Sequence, residues 1–238
     1  MRELSVFLFL LPWYYASAQS LEPTGGKLPE AYDSAAVTYF SNQSRTLAIH
    51  NGRVFYGYPG MLGHAFYPDE TTWQNGSIQY DETWYHNVSF MYDILKDEIV
   101  VLHPNTIPLR LFSERVQRFS YQDKVFVRFN PDKDNIIKSG FYQRLIDGNA
   151  TILVKRIKRI EEKIEGNQVE RRFIPADQYY LLKDGSYHAI GKQKSLINLL
   201  KDSRQNISQY LKQRKLKFKT GKEETIIAIA EFYNQSRK

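Results

Sequence analysis

The sequence predicts a mainly β protein of the α+β class: an antiparallel meander, roll or sandwich followed by a short C-terminal helical segment. Three observations carry this. Between about residues 37 and 190, short apolar or aromatic runs alternate with turn residues, the pattern of strands. Beyond residue 190 the apolar spacing becomes that of helices. The 238 residues hold no cysteine, so the fold must rest on burial alone, which a chain of this size can supply. The same absence excludes disulfides, thiol nucleophiles, cysteine metal sites and a lipid-modified cysteine.

Residues 1–18 read as an export signal. Arg2 supplies a positive start, residues 4–15 an apolar run, and Ala16-Ser17-Ala18 the small-x-small pattern a signal peptidase accepts. The run is shorter than the roughly 20 residues that span a bilayer. Residues 19–37, with Pro23, Gly25, Gly26 and Pro29, read as a loose N-terminal arm.

Residues 38–190 are expected to form the antiparallel β domain. Runs at 47–50 and 54–56 flank Asn51-Gly52, the strongest short hairpin signal, because both turn positions favour positive φ. Runs at 77–80 and 83–91 flank Asp81-Glu82, and runs at 91–95 and 98–103 flank Lys96-Asp97. Further strands are expected at 107–112, 115–121, 125–129 and 141–146, then at 179–182 and 187–190 around a Lys183-Asp184-Gly185-Ser186 turn. The stretch 151–174 reads two ways. Leu153, Ile157, Ile160 and Ile164 follow helical spacing, yet Ile152 to Val154 are strand-like and residues 165–168 resemble a hairpin tip. A long strand pair is the favoured reading.

Residues 191–238 are expected to form a basic helical tail packed on the β domain, with helices at 195–201, 204–212 and 221–233. Thr220 and Glu223 match a capping box, in which each satisfies an orphan amide of the first turn. Ile226, Ile229, Ala230 and Tyr233 form one apolar stripe, the mark of a packed face.

Charge is unevenly placed. Residues 1–150 hold 13 basic and 16 acidic side chains and residues 151–238 hold 20 and 10, so the excess behind the net +7 lies in the C-terminal part. Lys212, Arg214, Lys215, Lys217, Lys219 and Lys222 interleave with Leu216 and Phe218. An extended chain would turn Leu216 and Phe218 to one side and Lys215, Lys217 and Lys219 to the other. Such a cationic ribbon fits an anionic surface or partner. Nucleic acid is the reading for a cytosolic chain, and the export signal argues against it.

Aromatic residues cluster at Tyr56, Tyr58, Phe66, Tyr67, Trp73, Tyr80, Trp84 and Tyr85, where they serve either as cross-strand packing or as a platform for sugar rings. Trp73, Trp84, Tyr85 and His86 are the candidate ligand-binding residues. The histidines, His50, His64, His86, His103 and His188, lack zinc-motif spacing, although His86 and His103 would approach if their strands paired. No metal or cofactor is expected. Asp69-Glu70, Asp81-Glu82 and Asp97-Glu98 fall at turns, where acidic side chains bond the local backbone. No glycine-rich phosphate loop and no Gly-x-Ser-x-Gly elbow is present, so no catalytic residue is assigned.

Several stretches together carry a resemblance: Asn51-Gly52-Arg53 with Tyr56, Gly63-His64, residues 76–81 through 92–98, Phe119, Phe129, Gly140-Phe141-Tyr142 and Leu216-Lys217-Phe218. Over most of its length the chain resembles a family of exported Bacteroidota proteins to which no activity is assigned. The resemblance implies export and a β-rich body with a helical tail, and no reaction.

These readings lead to an exported, non-enzymatic envelope protein. It would sit in the periplasm or on the cell surface of a Gram-negative bacterium, where Lys212, Arg214, Lys215, Lys217 and Lys219 would meet an anionic or protein envelope component. The alternatives are a secreted hydrolase acting on glycan or peptide, or a carbohydrate-binding β module.

Overall fold

Alternation of apolar and polar side chains sets the architecture. The computed structural model describes residues 48–131, 136–165 and 168–237. The expected export signal and N-terminal arm lie outside the described residues. The strands are β1 (Arg53–Val54), β2 (Phe66–Tyr67), β3 (Gln74–Tyr80), β4 (Thr83–Asp93), β5 (Glu98–Leu102), β6 (Pro108–Arg110), β7 (Val116–Tyr121), β8 (Lys124–Phe129), β9 (Gly140–Ile146), β10 (Thr151–Lys155), β11 (Lys158–Glu165), β12 (Gln168–Pro175), β13 (Gln178–Lys183) and β14 (Ser186–Ala189). The helices are α1 (Gln193–Leu199), α2 (Arg204–Arg214) and α3 (Lys222–Gln235).

Among the described residues, twelve strands form one antiparallel sheet in the order β1-β6-β5-β4-β3-β7-β8-β9-β10-β13-β14, with β2 added beside β4. The β11–β12 hairpin stands apart as a second, two-stranded sheet. The fold is thus mainly antiparallel β with a short helical C-terminal region, and residues 151–174 are strands. Glu161 pairs with Arg172 and Glu162 with Arg171, each at 2.7 Å, across the β11–β12 ladder.

The turns follow their residues in most places. Asp81 and Glu82 both take positive φ, 47° and 64°, as the two-residue turn between β3 and β4 requires. Asn51-Gly52 does not make the expected hairpin. Residues 48–49 are helical, and β1 pairs with β6 instead. The cause is packing: Ile49 is buried in the aromatic core, and Gly52 lies so close to β6 that a Cβ there would sit 2.4 Å from the Arg110 carbonyl oxygen. Glycine is needed here for the approach of two backbones rather than for a turn.

The sheet coils on itself. On a flat sheet β9 would lie four strand spacings from β4, roughly 19 Å away. Yet the rings of Tyr92 on β4 and Phe141 on β9 are 6.0 Å apart. Right-handed twist accumulated over the strands closes that gap. The enclosed core is aromatic: Phe90, Tyr92, Phe119, Tyr121, Phe126 and Phe141 are buried together with Ile78, Tyr80, Ile99 and Val101. A polar latch fastens the closure. Asp97, in the β4–β5 turn, accepts hydrogen bonds from the Tyr92 hydroxyl at 2.6 Å, from the Phe141 amide at 3.2 Å and from Lys155 Nζ at 2.9 Å. Gly140, at φ 139°, makes room for it, because a Cβ there would lie 2.0 Å from Lys155 Nζ and 2.1 Å from Asp97 Oδ2.

The C-terminal half of the same sheet face is covered by helices. Ile152, Val154, Tyr179 and Leu181 pack on Leu196, Leu200, Ile207, Leu211, Ile226, Ile229, Ala230 and Tyr233. The expected capping box is absent. Gly221 is the N-cap of α3, with no side-chain cap bond, and Thr220 Oγ1 turns back to the Lys217 carbonyl. Glu223 is drawn elsewhere by a stronger partner. Arg156, its side chain 7% exposed, donates to Glu223 at 2.5 and 3.0 Å, to Asp177 at 2.8 Å and to Gln143 at 3.0 and 2.8 Å. Its guanidinium also sits 4.9 Å from the Tyr67 ring centre, and the Tyr179 hydroxyl completes the cluster with a 2.9 Å bond to Glu223. This charged knot joins β2, β9, the loop before β13 and the first turn of α3 at the seam between the two cores.

Candidate functional site

Two of the expected sites take shape, one on β4 and one after α2. On β4 the geometry begins with a bulge. The β3–β4 register shifts between Gly76 and Ile78, and Asn87 takes φ 54°. The extra residue resets alternation, so that Tyr85 and Val88 both turn to the aromatic core while Trp84 and His86 face outward. The outward rings are parallel, 6.0 Å apart with an interplanar angle of 5°, and Trp84 is 42% exposed. Ser77 Oγ lies 2.9 Å from His86 Nδ1 and fixes the ring's rotation.

Beside this pair is a cleft of about 540 Å³, lined by Trp84, Tyr85, His86, His50 and His103 with Ser89 and Thr106. His103 leans edge-on against His50 at 5.0 Å, and its Nδ1 accepts the Asn105 amide at 3.1 Å. His86 and His103 therefore line one cleft, but no group of three candidate ligands able to hold a metal exists among the described residues. No carboxylate lines the cleft among the described residues. The paired-carboxylate chemistry of glycoside hydrolysis has no footing there.

Trp73 does not join this group. It packs with Phe55 against buried Phe66, Met91 and Val100. The difference is measurable. Trp84→Ala is expected to shift stability by less than about 1 kcal/mol, as for a side chain outside the core. Trp73→Ala is expected to cost roughly 2–3 kcal/mol through lost packing. Urea unfolding of both variants checks this, and equal losses would contradict it.

The acidic turn pairs are structural. Asp81 pairs with Arg115, Asp97 with Lys155 and Glu98 with Arg110. Asp69 meets buried Lys158 at 2.5 Å, and that bond holds its carboxyl below the ordinary range. His64 is shifted the other way from a charged histidine: burial, then the Lys158 charge, lowers its pKa. Asp93, fully buried, accepts Tyr58 at 2.5 Å and the Leu95 and Lys96 amides, yet burial outweighs those bonds and raises its carboxyl above the usual value.

The basic ribbon has the expected polarity. Lys212, Arg214, Lys215, Lys217 and Lys219 are all exposed, while Leu216 and Phe218 are half-buried against the helical core. The expected extended chain does not form: Lys212 and Arg214 lie in α2, Lys215 ends it at φ 56°, and the chain then turns, with the Thr220 and Gly221 amides donating to the Lys217 carbonyl. Among the described residues none of the five cations pairs with a carboxylate. Arg214 stands 5.7 Å from the Tyr210 ring centre. A groove of about 800 Å³ runs between Leu211, Leu216 and Lys212, Lys215 and Lys217.

Two features escaped the sequence reading: the Arg156 knot and a polar cleft at the β4–β5 turn. Arg156 had one signal, a second charge following Lys155 after the apolar run Ile152-Leu153-Val154. The cleft had none, because its residues come from six separate stretches of chain. No family model, no curated protein and no solved structure matches the chain.

Proposed function

We propose that this chain is an exported, non-enzymatic envelope protein, which docks on an anionic envelope component through the basic face after α2. The observation that carries the reading is the exposed row Lys212, Arg214, Lys215, Lys217 and Lys219 backed by anchored Leu216 and Phe218. Backing matters, because a ribbon fixed on a helical core presents its charges without first losing chain entropy. Near an anionic surface each cation contributes about 1 kcal/mol, so five together change partition by between roughly three and four orders of magnitude at low salt. The signal-like N-terminus and the resemblance to exported Bacteroidota proteins support the location; no helix among the described residues is long and apolar enough to cross a membrane.

The test is fractionation of the native host with all five residues changed to Gln. The wild type is expected with membranes, released by high salt, and the variant in the soluble fraction. Both forms freely soluble would end the proposal. A second reading, a carbohydrate-binding module, is favoured by the parallel Trp84–His86 pair beside an open cleft. It requires glycan binding that Trp84→Ala abolishes while the fold is kept.

A further inference from the structure

The polar cleft at the β4–β5 turn lies away from both sites above. It encloses about 470 Å³ where that turn meets the β6–β7 connection and the start of β9. Five cations reach it, Arg53, Lys96, Arg110, Arg128 and Lys155, against the carboxylates of Asp97, Glu98 and Glu114. Two cations are already committed: Lys155 to Asp97 at 2.9 Å and Arg110 to Glu98 at 3.3 Å. Arg53, Lys96 and Arg128 have no carboxylate partner among the described residues, so positive charge is in excess.

The arginines are positioned rather than loose. The Arg53 guanidinium stands 5.5 Å from the Phe112 ring centre, and that of Arg128 stands 5.3 Å from the Phe141 ring centre. Stacking of this kind holds the planar fork in place and leaves its N–H edge for an acceptor. Two of those edges are unmatched. Nε of Arg110 and Nε of Arg128 are both buried without a hydrogen-bond partner among the described residues, and Arg128 Nη2 makes a long 3.5 Å contact with Ser139 Oγ. Those Nε atoms are enclosed by protein, so an oxyanion in the cleft would meet the guanidinium groups that line it through their Nη groups.

Size and rim narrow the ligand further. The volume exceeds what a lone oxyanion fills and falls in the range of small-molecule sites. Ser113, Ser139 and Glu114 line the same space and offer oxygens to hydroxyl groups. We propose that this cleft binds a small polyhydroxylated organic anion, a monosaccharide bearing a carboxylate or phosphate group, with Arg53, Arg110 and Arg128 gripping the oxyanion.

Isothermal titration of the protein with glucuronate, glucose 6-phosphate, glucose and inorganic phosphate tests this, repeated on Arg128→Gln and Arg53→Gln. Saturable binding is expected for glucuronate, glucose 6-phosphate or both, weakened about tenfold or more in each variant. Whichever binds tighter identifies the oxyanion, and glucose is expected not to bind. Arg53 is exposed on a two-residue edge strand, so its variant keeps the test valid should Arg128→Gln fail to fold. No saturable binding of either sugar anion at roughly 10 mM would overturn the proposal. So would binding that Arg53→Gln leaves unchanged, or inorganic phosphate bound as tightly as the sugars, which marks an adventitious ion only.

Discussion

Arg156→Met is expected to destabilise the protein by about 3 kcal/mol, the low end of the range for breaking a buried ion pair. Methionine replaces the length of the side chain but none of its five donors. Glu223, Asp177 and Gln143 would then face one another without a cation. The low end applies because Glu223 and Asp177 keep 34% and 22% of their side-chain surface and recover some hydration. The pH dependence is the sharper signature. Burial alone would raise the Glu223 carboxyl, but the bond and charge of Arg156, with Tyr179, take it below its ordinary 4.5. A carboxyl depressed by folding adds stability above the unfolded value of 4.5, and that contribution is lost as pH falls through the lower folded value. Wild type and variant should therefore differ most above the unfolded value of 4.5 and converge as pH falls through the lower folded value. Denaturant titrations at pH 7 and pH 3.5 decide it. A difference that stays constant with pH would show that Arg156 acts through packing on Tyr67 rather than through Glu223.

That knot also shows where the sequence could be read and where it could not. Period-two alternation and turn residues are local, so β3 to β10, β13 and β14 lie close to where their side chains put them. Asp81-Glu82 and Asp184-Gly185 turn as their types demand. Asn51-Gly52 failed because a distant strand, β6, claimed its neighbourhood. Thr220 and Glu223 failed as a capping box because a side chain 67 residues away outbid the local amide. The same logic divides the candidate sites. The alternation of exposed cations with half-buried Leu216 and Phe218 was legible in consecutive residues, but the helix end and the turn that replace an extended ribbon there were not. Trp84 and His86 share a face at spacing two, which sequence also shows. Trp73 was grouped with them by closeness in the chain, but the β3–β4 register sets it beside the Met91 end of β4, the opposite end from Trp84, in a separate cluster. The arginine cleft depends wholly on the coiling of the sheet.

Phe119→Ala is expected to cost about 3–5 kcal/mol, enough to unfold much of a protein whose total stability is about 5–15 kcal/mol. Phe119 is fully buried on β7. It stacks on Phe126 at 4.7 Å and meets Phe90, Tyr92 and Phe141 edge-on at 5.8, 5.0 and 5.2 Å. Phe126 is its ladder partner on β8, while the others come from β4 and β9, strands that the ladder alone would hold four spacings apart. Each ring pair adds roughly 0.5–1.5 kcal/mol beyond its burial, and alanine forfeits them together. Phe119→Leu keeps most of the volume and should lose far less, near 1.5 kcal/mol. Urea unfolding of both variants separates two accounts of the coil. If alanine costs several kcal/mol and leucine little, the aromatic core draws the sheet closed and the Asp97 latch follows. If alanine costs under about 1 kcal/mol, the closure rests on the latch, and Asp97→Ala, which strands Lys155 and frees the Phe141 amide and the Tyr92 hydroxyl, becomes the more damaging change.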